Sequence, residues 1–123
     1  MNGLRTVIAV AFGGALGAGC RWGLLSLFSS AEDVRLIFLF NILGSALLGV
    51  LISQRPNISE NWFHFGGAGV AGGFTTFSTF AVDVAELIDS GQLIAAAVST
   101  GVTAVIALVF AGIGYRVGLE IKR

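Results

Sequence analysis

The chain has 123 residues, 55% of them hydrophobic and only 11% charged, with seven Lys and Arg balancing seven Asp and Glu for a formal net charge of zero. Soluble domains carry about 25% charged residues and cannot hide this much apolar surface in so small a volume, so the composition excludes an ordinary soluble domain and selects a membrane protein. The charge balance also excludes the basic face that nucleic acid requires, and no nucleic-acid partner is expected.

The first apolar segment, residues 4–28, opens with Arg5 and carries small residues near Ala18, as a cleavable signal peptide does. More apolar segments follow it, so it reads as an uncleaved first span. The others run over 34–53, 62–88 and 93–119. Each is near or above the roughly 20 residues that cross a hydrocarbon core of about 30 Å. The pattern predicts an all-α membrane protein with four transmembrane helices in a single integral domain over 1–123. The connections SSAED (29–33), QRPNISEN (54–61) and DSGQ (89–92) are short and polar, which makes successive spans run up and down.

Glycine contributes 18 residues, mostly inside the spans. GGALGAG (13–19) in the first and GIGYRVG (112–118) in the fourth have small-xxx-small spacing, which lets helix backbones approach closely where lipid supplies no hydrophobic drive. Four spans make a thin bundle that exposes any polar path to lipid, so self-association as a dimer is expected. Cys20 lacks a partner for a disulfide or zinc site and reads as a small apolar residue. His64, at a span edge, reads as interfacial. With both termini and the second loop on one side, Arg5, Arg55, Arg116, Lys122 and Arg123 face Arg35 and Arg21, a bias that puts both termini in the cytoplasm.

Polar side chains at membrane depth are costly and ask for partners. Arg21 lies late in the first span and reads either as a snorkelling cation, as a fixed charge by an aqueous vestibule, or as the partner of Asp83 or Glu86, which share a face of the third span. Asn41 and Ser45 stand one turn apart in the second span, as interhelical glue or as donors along a pore. Ser99 and Thr103 share a face of the fourth span, with Thr100 beside them. Such hydroxyls either line a path or bond back to their own helix.

The motif GGFTTFSTF (72–80) is too rich in glycine and threonine for a helix interior. Non-helical backbone at membrane depth persists only where protein or a water-filled cavity satisfies it. A third helix broken over 72–76 frees carbonyls that suit a cation and amides that suit an anion. Phe77 and Phe80 lie three apart, and the edge of an aromatic ring carries the positive part of its quadrupole, which attracts a small anion.

GGFTTFSTF, together with Asn41, Arg21 in GCRWG and an acid three residues after the last phenylalanine, resembles the CrcB or Fluc family of small fluoride channels across essentially the whole chain. The resemblance implies an antiparallel, dual-topology homodimer with two fluoride pores and a structural sodium ion at the interface. It implies ring contacts from Phe77 and Phe80 and a donor at Asn41. Hydroxyls from Ser78, Thr79 and Thr103 would continue the pathway, with Ser99 nearby, Arg21 at the vestibule and Asp83 as the acid. Backbone carbonyls of Gly72 and Thr75 would hold the sodium. Asp83 stands where the family pattern has glutamate, and Ser99 where some relatives carry tyrosine or histidine. Some members pair with a separate, inverted homologue.

The function implied is passive fluoride export across a prokaryotic cytoplasmic membrane, protecting the cell from the ion, with no enzymatic step. A small dual-topology drug/proton antiporter is the alternative. It requires a carboxylate in the first span, and residues 4–28 hold none.

Overall fold

With no water to bond to, backbone in lipid must satisfy its own polar groups, and the helix does so within one segment. The computed structural model describes residues 3–28 and 34–121, which fold into helices joined by short turns, with no strand among the described residues. The 29–33 connection and the charges of Lys122 and Arg123 lie outside the described residues.

Helix α1 (Gly3–Phe28) and α2 (Val34–Gln54) are the first two elements. α2 passes into a short 3₁₀ turn, Arg55–Asn57, where Pro56 removes a helical donor. Ser59 then caps α3 (Glu60–His64), its hydroxyl accepting from the Trp62 N–H. The helix widens into a π-helical stretch, Phe65–Ala71, before closing as α4 (Gly72–Phe74). Thr75 and Thr76 are extended, with φ/ψ of −81°/161° and −141°/119°. Thr76 caps α5 (Phe77–Asp89), and Gly91 makes the turn into α6 (Leu93–Glu120) with a φ of 76° that other residues resist.

Three helical stretches, Gly3–Phe28, Arg35–Asn57 and Leu93–Glu120, are long and apolar enough to cross a membrane. The segment 62–88 is not a single helix of that kind, because the extended pair divides it. The interruption is also narrower than the 72–76 expected. Gly72 to Phe74 remain helical, since Gly73 is held against α1, and only the two β-branched threonines leave the helix.

Spans two apart in sequence pack together. α1 lies against the 65–74 stretch, and α2 lies against α6. A Cβ on Gly13 would collide with the Phe65 carbonyl, one on Gly17 with that of Val70, and one on Gly73 with that of Gly14. On the other seam, Gly49 abuts the Ala111 carbonyl, Gly114 that of Ala46, and Gly118 the Ser53 side chain. The register rises from Val10 beside Gly69 to Ala18 beside Gly73, and from Ala46 beside Gly114 to Val50 beside Gly118, so each pair runs parallel. GGALGAG and GIGYRVG therefore serve helix packing. The buried apolar side chains are few among the described residues, namely Leu25, Ile37, Phe40, Ala71 and Ala96, while large residues such as Leu4, Trp22, Ile94 and Leu108 face outward. This distribution belongs to a protein whose solvent is lipid.

The seams carry a stability prediction. Gly114→Val should destabilise the chain by about 1–3 kcal/mol through overpacking against Ala46. Gly101→Ala, which meets nothing within 4 Å, should be neutral or slightly stabilising. Denaturation in detergent followed by circular dichroism would read both, and equal midpoints for the two variants would show that the α2–α6 seam is not close-packed.

Candidate functional site

The extended pair 75–76 exposes peptide groups that a continuous helix would satisfy, and two other helices supply what is missing. From α2, the Asn41 side chain bonds Thr76 twice: the Thr76 N–H donates to Oδ1 at 2.8 Å, and Nδ2 donates to the Thr76 carbonyl at 3.1 Å. This pairing fixes the amide orientation and leaves Nδ2 one further N–H. From α1, Arg21 Nη1 donates to the Thr75 carbonyl at 3.0 Å. Thr76 is buried, at 8% exposure, so both bonds from Asn41 satisfy groups that water does not reach.

Beside the break lies a cavity of about 760 Å³. α2 contributes Arg35, Ile37, Phe38 and Asn41, at helical spacing along one face. α5 contributes Phe80, Asp83, Glu86 and Leu87; α6 contributes Ser99, Val102 and Thr103; Ser90 and Gln92 close one end. The result gathers the Asn41 and Gln92 amides, the Phe38 and Phe80 rings and the hydroxyls of Ser90, Ser99 and Thr103 around one space, whose lining also carries two carboxylates and a guanidinium. Such a lining can strip water from a small ion and replace it with weak, distributed contacts.

Of the residues singled out in the sequence, Asn41, Phe80, Asp83, Ser99 and Thr103 meet in this cavity. Phe77 does not. Its ring is 78% exposed and stands 5.9 Å from that of Phe80, tilted by 51°. Ser78 and Thr79 gather on the Thr76 hydroxyl, at 3.0 and 3.4 Å, and Thr79 N–H completes the cap. Ser45 bonds back to the Asn41 carbonyl and Thr100 to that of Ala96, so both hydroxyls serve their own helices. Arg21 sits on the Thr75 carbonyl, and among the described residues no ion pair joins it to Asp83 or Glu86. The carboxylates face the cavity instead. Gly72 and Thr75 flank the end of α4, with the Thr75 hydroxyl bonded to the Ala71 carbonyl at 2.9 Å.

Thr76 is the residue that the sequence reading passed over. It is at once cap, hydroxyl hub and backbone partner of Asn41. The signal was available: a threonine immediately before the first residue of an apolar helical run is an N-cap pattern. In the sequence Arg35 counts only toward orientation and Glu86 only as a face-mate of Asp83; their convergence on one cavity depends on how α2 and α5 are set against α6.

Three long apolar helices with an amide-clamped backbone interruption beside a polar-lined cavity define a multi-pass α-helical membrane protein whose site is built for a small solute. The model of the CrcB-like protein family, also described as camphor resistance (CrcB), matches residues 8–115. The chain belongs to the CrcB family. It is 40% identical over 118 residues to a fluoride-specific ion channel, FluC, of Idiomarina loihiensis, covering 89% of this chain and 91% of that relative. It is 34% identical over 124 residues to FluC of Oceanobacillus iheyensis, covering 98% and 96%. FluC of Pseudomonas aeruginosa is 36% identical over 118 residues, covering 89% and 91%. Those relatives are channels and not enzymes.

The clamp predicts the effect of its removal. Asn41→Leu leaves the buried Thr76 N–H and carbonyl unpaired, a loss of about 1–3 kcal/mol for each group. Amide exchange at Thr76 should accelerate by more than tenfold while the amides of the α2–α6 seam keep their protection. Unchanged exchange at Thr76 would mean that Asn41 does not hold the break.

Proposed function

We propose that the chain is a fluoride channel that lets the ion leave the cell passively across the cytoplasmic membrane. The observation that carries this reading is the meeting of the Asn41 amide, the Phe80 ring and the Ser99 and Thr103 hydroxyls in one cavity beside the extended pair. Membership of a family whose relatives are named fluoride-specific channels supports it.

In this reading residues 60–89 form a third crossing interrupted at 75–76, which brings the crossings to four. The chain works as an antiparallel homodimer with two pores, or alternatively beside an inverted homologue. The support is the outward Phe77 ring at the interruption, which a second copy would cover. The pathway runs along Phe77, Phe80, Asn41, Ser99 and Thr103, with Asp83 at its wall and with Ser78 and Thr79 shaping the start of α5. Fluoride gives up tightly held water only for donors and positive ring edges, and it leaves only if none of them traps it. The remaining N–H of Asn41 and the two cavity hydroxyls are such donors, while Asp83 and Glu86 keep the site from holding an anion too firmly.

A structural sodium ion at the interface of the two copies fits the donors present. In a continued helix the Thr76 N–H would close on the Gly72 carbonyl, but it goes to Asn41. Gly72 is exposed, and the Thr75 hydroxyl stands 3.4 Å from its oxygen. The carbonyl oxygens of Gly72 and Thr75 are hard donors of the kind that alkali cations take, two from each chain, so a second copy completes the set. Bound there, the cation supplies a fixed positive charge that ties the two interruptions together. For this chain's own residues the consequence is structural: Asn41 and Arg21 fix where those oxygens point.

Two measurements test the reading. Liposomes loaded with fluoride or chloride should lose fluoride alone when the purified protein is present. Phe80→Ile and Phe77→Ile should each cut that flux by tenfold or more without dissociating the dimer. Equal loss of both halides, or drug uptake driven by a proton gradient, would overturn the channel assignment. Separately, a tag on the carboxyl terminus should be reached from both sides of the membrane, and labelling from one side only would replace the homodimer with a paired inverted chain.

A further inference from the structure

Arg21 stands seven residues before the end of α1, well inside an apolar helix, where a cation is costly unless something holds it. It donates to a neutral group, the Thr75 carbonyl, across 54 residues of sequence. From a different helix, Asn41 takes the N–H of that same 75–76 peptide group and donates to the carbonyl of the next one. The 75–76 peptide group is therefore held at both ends by foreign side chains, one charged and one neutral. The two clamps differ in kind. The amide both gives and takes, so it fixes orientation. The guanidinium only gives, and it brings a full positive charge to an oxygen that a metal cation would also seek.

We propose that Arg21 is a positioning residue that pins the Thr75 carbonyl, and that its guanidinium competes with a monovalent metal cation for that oxygen. A charge-assisted bond polarises the carbonyl toward the guanidinium. A cation approaching the same oxygen meets like charge at close range in a low-dielectric setting. Arg21 thus holds the interruption open in a chain without the cation and weakens the cation's hold when it is present. The pinning follows from the contact alone, and the competition rests on the proposed sodium site.

The test uses the full chain in detergent without fluoride, comparing wild type, Arg21→Gln and Arg21→Lys in sodium chloride and in N-methyl-D-glucamine chloride. Amide exchange at residues 76–80 is read together with the thermal midpoint. Without sodium, Arg21→Gln should exchange roughly tenfold faster there than wild type, the scale of one lost charged hydrogen bond. Arg21→Lys, which keeps charge and a donor, should fall between the two. Sodium should restore protection to Arg21→Gln and raise its midpoint by more than it raises that of wild type. Wild-type exchange in Arg21→Gln would overturn the pinning, and equal sodium responses in the two proteins would overturn the competition. If Arg21→Gln does not fold, Arg21→Lys carries both comparisons with smaller differences. Because no fluoride is present, a failure here leaves the flux result standing, and a failure of selective flux leaves these readouts unaffected.

Discussion

A peptide group that leaves the helix inside a membrane must find its hydrogen-bond partner elsewhere in the protein, and this requirement organises the chain around Thr75 and Thr76. Asn41 gives Thr76 what the helix withdrew, two bonds to one residue, and Arg21 gives Thr75 one. These contacts tie the interruption to α2 and to α1. Because α2 is locked to α6 through Gly49 and Gly114, and α1 to the 65–74 stretch through Gly13 and Gly17, the break is referenced to both halves of the bundle. Its geometry is a property of the whole fold and not of a flexible loop.

The glycines and the polar residues therefore divide the work. Glycine lets carbonyls of one helix sit where a Cβ of the next would otherwise be, which brings paired backbones close without any polar contact. Asn41 and Arg21 then bond across distances that only such close packing permits. The cavity is a result of the same division. α5, freed from α4 by the break, leans on α6, and the space between them and α2 is lined by side chains spaced three or four apart: Phe80 and Asp83, Ser99 and Thr103. The Thr76 cap starts α5 at Phe77, whose ring is exposed at the helix's first turn, while Phe80, one turn further on, reaches the cavity.

Much of this was legible in the sequence. The long apolar helices follow from run length, and the disturbance in the third follows from GGFTTFSTF. What composition could not locate was the residue at which the helix ends. The motif's glycines looked like the breakers, but Gly73 is helical because its missing side chain is used for packing on Gly14, and the break moved to Thr75 and Thr76. The π-helical stretch Phe65–Ala71 left no trace either, since FGGAGVA reads the same at either pitch. Small-xxx-small spacing announced close packing without naming the partner, and partners two spans apart emerge only from register. The role of Arg21 was open for the same reason: a lone cation can be assigned to a carboxylate, an interface or a carbonyl until the helices are placed.

Two carboxylates on the wall of a cavity proposed for an anion are at first sight a contradiction. A site that bound fluoride with the full strength of a guanidinium and several N–H donors would hold it and stop conduction. Asp83 and Glu86 share the cavity with Arg35, so the formal charges there lean negative, and in the proposed channel the attraction for the anion would come from the Asn41 amide, the hydroxyls and the ring edge. Meanwhile the guanidinium of Arg21 is spent on Thr75 outside that lining. The arrangement puts the charge of Arg21 into the scaffold, where it positions backbone, and leaves Arg35 as the guanidinium in the lining, beside two carboxylates. Selectivity on this account comes from the close fit of weak donors around a small ion, and throughput from the absence of any single contact strong enough to keep it.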